Sequence, residues 1–218
     1  MLFTGRPLAL TWEHKNIPAM LNVWFGGSEA GDAIADVLFG DVNPSGKLSA
    51  TFPQNVGQVP IYYAHKNTGR PLQGNWFQKF RSNYLDVSNE PLYPFGYGLS
   101  YTTFEYGELQ LNKTEISRND SITVSIGVTN TGTRDGAEVI QLYIRDLVGS
   151  VTRPVKELKD FKKMSFKAGE KKTIVFTVTA EDLSFYNTDL KWGSEPGDFT
   201  VFVGGNSRDV KEVGFVLK

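Results

Sequence analysis

The run Pro91-Leu92-Tyr93-Pro94-Phe95-Gly96-Tyr97-Gly98-Leu99-Ser100-Tyr101-Thr102-Thr103-Phe104 separates two unlike halves of the chain. Pro91 and Pro94 fix φ and push the residues before them towards extended geometry. Gly96 and Gly98 permit backbone angles or close approaches that a Cβ would forbid. The run therefore reads as neither helix nor central strand but as an irregular segment pinned by its rings. Tyr and Phe bury a large apolar area, and each Tyr tip still needs a polar partner. Upstream the sequence has an α/β look, and downstream it reads as strands only.

Downstream, Ser121–Asn130 alternates Ile122, Val124, Ile126 and Val128. Residues 139–147 place Val139, Gln141, Tyr143 and Arg145 on one side and Ile140, Leu142 and Ile144 on the other. Residues 156–166, 173–178, 199–203 and 213–217 follow as further runs. Turn signals at Asn130-Thr131-Gly132, Ala168-Gly169, Pro196-Gly197 and Gly204-Gly205 separate them. About seven short strands over roughly 100 residues predict an immunoglobulin-like sandwich.

Upstream, residues 2–10 read as two short extended pieces around Gly5-Arg6-Pro7. Residues 16–22 read as a short helix, with Asn16 as N-cap and Pro18 in the first turn. Val23-Trp24-Phe25 reads as a short buried strand ending at Gly26-Gly27. Ser28 is expected to cap a helix, with Glu29 and Asp32 near the positive end of its dipole. Ala33, Ile34, Val37 and Leu38 fall on one face, and Gly40 stops the helix. A strand, a glycine turn and a helix make one unit of a parallel sheet, yet parallel sheets are covered on both faces. The fold class predicted is α+β overall: an incomplete α/β (parallel-sheet) segment followed by the sandwich. Residues 48–52 read as a possible strand ending at Pro53. Residues 54–90 read as an ordered strap, because Tyr62, Tyr63, Trp76, Phe77, Phe80 and Tyr84 argue against disorder. The domains expected are 1–53 (end of an α/β domain), 54–103 (aromatic-rich strap and join) and 104–218 (sandwich).

Composition narrows the functional classes. The 218 residues fit one or two domains, and a hydrophobic content of 40% suffices for a packed core. A net charge of −1 argues against nucleic acid or an anionic membrane as a partner held by bulk charge. No apolar run approaches the ~20 residues of a membrane span. With no cysteine, thiolate metal sites and cysteine nucleophiles are excluded. His14 and His65 are the only histidines and lack clustered Asp or Glu, so neither a metal nor another cofactor is expected.

Several motifs, in order, carry a family resemblance. They are Gly5-Arg6-Pro7, Trp24-Phe25-Gly26-Gly27-Ser28-Glu29-Ala30-Gly31, residues 38–48 (Leu38-Phe39-Gly40-Asp41-Val42-Asn43-Pro44-Ser45-Gly46-Lys47-Leu48), the join, and Arg153-Pro154-Val155-Lys156-Glu157-Leu158. Together they resemble the C-terminal part of family 3 glycoside hydrolases, the β-glucosidases and β-xylosidases, closest to the bacterial periplasmic β-glucosidase type. The resemblance implies a fibronectin type III-like sandwich and the end of an α/β domain. It implies retaining hydrolysis of terminal, non-reducing β-linked glucose by the intact enzyme, on an oligosaccharide or glucoside substrate. It further implies barrel and α/β domains upstream as partners and a periplasmic or secreted parent. No signal-peptide pattern follows Met1; such a signal is expected with the upstream part.

In that family the nucleophilic aspartate lies on the barrel and the acid/base glutamate on a loop before the segment where this chain begins. Neither motif is present, so no catalytic residue is assigned. Among local groups, Glu29, Asp32 and Asp41 are explained by helix ends and turns. Glu13 follows an extended piece in Leu10-Thr11-Trp12-Glu13-His14 and is a candidate to face substrate, since α/β sheets put sites at strand ends. The competing reading is a solvated surface carboxylate. Trp76 and Phe77 are candidates for carbohydrate contact through stacking; the favoured alternative is that they anchor the strap. Tyr84 and Asp86 match strap positions of the family, whereas Asn83 stands where relatives often have arginine. Arg6 is expected to hydrogen-bond turn carbonyls. The rival to an enzyme-derived reading is a non-catalytic module whose sandwich and strap hold a glycan or a protein.

Overall fold

The computed structural model describes residues 1–72 and 77–218. The second half is a two-sheet sandwich. β1 (Phe104–Leu111), β3 (Ser121–Asn130) and β6 (Lys171–Thr179) form one sheet in the order β1-β3-β6. The other has the order β2-β10-β9-β4-β5, from β2 (Glu115–Ile116), β4 (Gly136–Asp146), β5 (Glu157–Phe166), β9 (Gly197–Gly204) and β10 (Val210–Leu217). All these pairs are antiparallel except β2 with β10, where Glu115 and Ile116 run parallel to Val216 and Leu217. A small hairpin, β7 (Phe185–Tyr186) and β8 (Trp192–Gly193), stands apart.

Side chains on a strand alternate between faces, so one register fixes which set is buried. In β3 the pattern is regular: Ile122, Val124, Ile126 and Val128 are buried and the residues between them are not. They meet Ile174, Phe176 and Val178 of β6, Ile140, Leu142 and Ile144 of β4, and Val201, Val203 and Phe215 of the far strands in one continuous core. Edge strand β5 keeps Phe161 exposed among Lys159, Lys162 and Lys163, charges that discourage pairing with another chain.

The other face of β4 is buried as well. Gln141 and Tyr143 are covered, because the join and the strap lie across them. Tyr63 stacks on Phe95 at 4.4 Å and meets Tyr143 edge-on at 5.6 Å. Gln141 Nε2 donates to the carbonyls of Gly205 (2.6 Å) and Gly96 (3.3 Å), and Tyr143 Oη donates to Gln141. Gly96 has φ +80°, and a Cβ there would lie 2.1 Å from Gln141 Oε1. A Cβ at Gly98 would lie 2.3 Å from the Gly46 carbonyl.

Among residues 1–40 the structure departs from expectation in three places. The first helix, α1, is Thr11–Asn16 rather than 16–22. Pro18 acts as a stop: Ile17 takes extended angles (φ −113°, ψ 121°), as a residue before proline does, and Asn16 Nδ2 returns to the Trp12 carbonyl. Val23-Trp24-Phe25 is not a buried strand. Leu2 alone bridges Asn22 in parallel, Trp24 turns to φ +48°, and Phe25 is 86% exposed. The second helix, α2 (Ala30–Phe39), has Glu29 rather than Ser28 at its N-cap, with no side-chain cap. Its stop is as read: Gly40 takes φ +87° and donates to the carbonyls of Asp36 and Val37.

Residues 48–52 lie beside the join with a bend at 49–50. Leu48 N–H bonds Tyr97 O at 2.8 Å and Phe52 N–H bonds Tyr93 O at 2.9 Å, giving a single bridge rather than a strand. The strap is ordered through its own polar groups. Asn55 caps a 3-10 turn at Val56–Gln58, and buried Gln58 receives the Gln54 N–H and donates to Ser88 and Glu90 carbonyls.

Candidate functional site

Of the sequence-nominated residues, Glu13 lies at the face where residues 1–53 meet the join. The centre of this face is a file of rings. Trp24 meets Phe52 edge-on at 5.9 Å, Phe52 meets Tyr93 at 6.2 Å, and Tyr93 stacks on Tyr97 at 5.1 Å. His14 closes the file, its Nδ1 at 2.9 Å from Tyr93 Oη and its ring edge-on to Tyr93. Burial first, and Tyr97 second, pushes the Tyr93 phenol up. Glu13 precedes His14 on α1; it is half-buried, and its carbonyl accepts the Ile17 N–H that ends the helix.

Two clips fasten this face to the sandwich. Asn43 Oδ1 accepts Ser100 Oγ–H and Tyr101 N–H, each at 2.8 Å, while its Nδ2 donates to the Asp135 carbonyl at 2.9 Å. Lys47 pairs with Glu138 of β4 at 3.0 Å, both largely buried, and donates to the Gly98 carbonyl. Tyr106 Oη donates to the other Glu138 oxygen at 3.0 Å; burial and then the neighbouring carboxylate push this phenol far up, so it stays a donor. A buried carboxylate needs such compensation.

The motif at 153–158 fastens the strap. Val155 N–H bonds the His65 carbonyl at 2.9 Å. Arg153 lies 4.1 Å over the Phe185 ring, 2.7 Å from Glu157 and 3.5 Å from Asp146. Burial pushes the Asp146 carboxyl up, against the pull of Arg153. Lys156 lies over Phe202 at 4.3 Å and donates to the Ser207 carbonyl at 2.7 Å; burial pushes its ammonium down to about 8.

The remaining nominated residues disperse. Phe77 is 46% exposed, and among the described residues it has no ring partner and no link to Glu13. Trp76 lies outside the described residues. Asn83 is spent locally, accepting Gln78 N–H and donating to the Arg81 carbonyl, and Tyr84 Oη donates to the Gln58 carbonyl. Asp86 accepts from Asn55 at 3.5 Å. Arg6 is exposed and makes no hydrogen bond to described residues, so the turn-carbonyl reading fails. Among the described residues no three His, Cys, Asp or Glu side chains gather as a metal site, and no helix is long and apolar enough to cross a membrane. Sequence reasoning did not single out Asn43, Lys47, Glu138 and Gln141 as fasteners. Asn43 and Lys47 stand in the 38–48 motif without an assigned role, and Gln141 stands only as a polar residue sharing a strand face with Tyr143.

This geometry, an aromatic face clipped onto a sandwich, coincides with known domains. Residues 1–101 match the glycosyl hydrolase family 3 C-terminal domain, and residues 138–207 match a fibronectin type III-like domain. The chain belongs to glycosyl hydrolase family 3. The family 3 chain is 52% identical over 217 residues to a periplasmic β-glucosidase of Salmonella typhimurium, spanning 100% of itself and 28% of that protein. It is 46% identical over 220 residues to a β-xylosidase of Formosa agariphila, spanning 30% of it. A crystal structure of a Listeria innocua β-glucosidase in complex with isofagomine superposes with a TM-score of 0.94 at 46% identity, over 99% of this chain and 30% of that one. The family 3 sandwich extends beyond the matched 138–207, since β1, β3 and β10 complete its sheets.

Proposed function

We propose that this chain is the C-terminal scaffold of a retaining exo-β-glycosidase, a β-glucosidase releasing terminal non-reducing β-D-glucosyl residues. The observation that carries this reading is an uncovered apolar surface at the matching end. Phe3, Trp12, Phe25, Leu38 and Phe39 are all exposed, and Phe39 is 84% so. Single exposed apolar residues need no explanation, but five large ones between Phe3 and Phe39 support a docking surface on this segment. Residues 1–53 are then the last piece of an α/β domain, 54–103 the strap and join, and 104–218 the fibronectin type III-like unit.

Retaining hydrolysis needs two carboxyl groups about 5–5.5 Å apart, one as nucleophile and one as acid/base. Both would come from the upstream domains in an enzyme of the relatives' length. This chain's part is to hold those domains' shape, with Glu13, Phe77 and Trp76 as candidate pocket-wall residues. The similarity to the Salmonella protein supports a periplasmic location, and the Listeria enzyme's complexes with glucose and laminaribiose support a β-glucoside substrate. The chain alone should hydrolyse no aryl β-glucoside, and adding an upstream barrel and α/β part in trans should restore turnover. Turnover by the isolated chain that a carboxylate substitution within 1–218 abolishes would overturn this reading.

A further inference from the structure

One end of the sandwich carries an open cleft of about 720 Å³ between the turn that leads into β3 and the β7–β8 hairpin. That volume falls within the roughly 300–1,000 Å³ of small-ligand sites. Trp192 lines it and is 54% exposed, although burial of an indole is strongly favourable. The ring is nevertheless held in place. Its Nε1 donates to Glu181 Oε1 at 2.8 Å, and Tyr186, its direct partner across the hairpin, packs edge-on at 5.1 Å. The core uses neither ring.

Part of the polar rim around this indole is committed: Asp120 pairs with Lys113, Glu181 accepts from Trp192, and Glu195 accepts from Ser150. The side chains of Arg118, Asn119, Lys191 and Ser194 line the cleft and have no hydrogen-bond partner among the described residues. Two cations stand opposite Asp120, Glu181 and Glu195, so the cleft has no excess positive charge to hold an anion. A fixed, half-exposed aromatic ring beside the free side chains of Arg118, Asn119, Lys191 and Ser194, with paired carboxylates balancing the charge, suits a neutral polyhydroxylated ligand with a flat apolar face. A pyranose with equatorial hydroxyls has that shape. Its axial C–H bonds point at the electron-rich indole face, and its hydroxyls spread to the rim. A β-linked chain of such rings stays extended, so neighbouring units can lie along the cleft.

We propose that this cleft is a non-catalytic binding site for β-linked gluco-oligosaccharides, with Trp192 as the stacking platform and Asn119 and Lys191 as rim partners. The choice of β-linked glucose rests on the glycosidase reading above; the assignment of a carbohydrate rests on the cleft itself. The test is an amide and indole NMR titration of the full chain with cellotetraose, with maltotetraose in parallel. Saturable shifts are expected at the Trp192 indole N–H, Asn119 and Ser194. Trp192→Ala should weaken binding by about tenfold or more. Asn119→Ala and Lys191→Ala should weaken it while leaving the thermal midpoint unchanged, which keeps the test decisive if Trp192→Ala fails to fold. No saturable shift with either sugar, shifts confined to the strap around Phe77, or undiminished affinity in Asn119→Ala and Lys191→Ala would overturn the site. Equal binding of maltotetraose would overturn the linkage alone. Neither outcome bears on hydrolysis, which the aryl-glucoside assay reads separately.

Discussion

Gly96 shows how much one residue can carry. Its positive φ excludes most side chains, and Gln141 occupies the space a Cβ would need. Gly96→Ala should cost about 2–4 kcal/mol, combining left-handed strain with overpacking. Urea unfolding of the two proteins checks this, and an unchanged midpoint would show that the join is not packed on β4. Lys156 offers a pH test. Its folded value, about 8, lies below the ordinary lysine value of 10.5 because burial penalises the charge. Between these values the unfolded chain holds the proton that the folded chain has released, so stability rises with pH across the window. Relative to Lys156→Met, the wild type should therefore gain stability from pH 8 to 10. Above that, the raised phenols of half-buried Tyr93 and Tyr106 and of buried Tyr143 turn the absolute stability of both proteins down with rising pH, without altering the difference between them. A constant difference between the two proteins from pH 7 to 10 would refute the burial of this ammonium.

Whole elements were legible where packing on one face decides them. The alternation in β3 and the paired faces of β4 appear in sequence because a one-residue slip would turn every apolar side chain outward. The stop at Gly40 and the close approaches at Gly96 and Gly98 were legible because only glycine meets those backbone demands. The upstream half was harder for a physical reason. Asn16 and Pro18 carry the same letters at a helix start or just past its end, and only packing chooses between them. Trp24 and Phe25 look like a core strand by composition, yet the Phe25 ring rests only its tip against Gly5 and stays 86% exposed. The fasteners Asn43 and Lys47 lie far in sequence from Ser100, Tyr101, Asp135 and Glu138, which they hold, so no local pattern announces these contacts. The sandwich elements close a core of their own, so residues 104–218 should unfold in one cooperative step. Within them, Phe176→Ala should cost about 3–5 kcal/mol, the range for a buried phenylalanine. A span lacking dispersed amide resonances would contradict this autonomy.

The molecule as a whole is uneven. The sandwich buries a continuous core, whereas α1 and α2 have no buried residue. Each large apolar side chain left in water forgoes about 1.5–3 kcal/mol, against domain stabilities of about 5–15 kcal/mol. Residues 1–50 are held to the rest mainly through the ring file, Asn43, Lys47 and the contacts of 48–52 with the join. Such a segment opens locally long before the sandwich does. Its stability should come from the surface it docks on, which is the scaffold role proposed above. Native-state amide hydrogen exchange on the dilute monomer measures this directly. Residues 1–50 should exchange far faster than 104–218, and an upstream part added in trans should slow them. Equal, strong protection of both regions in the chain alone would contradict the scaffold account and favour a self-contained module.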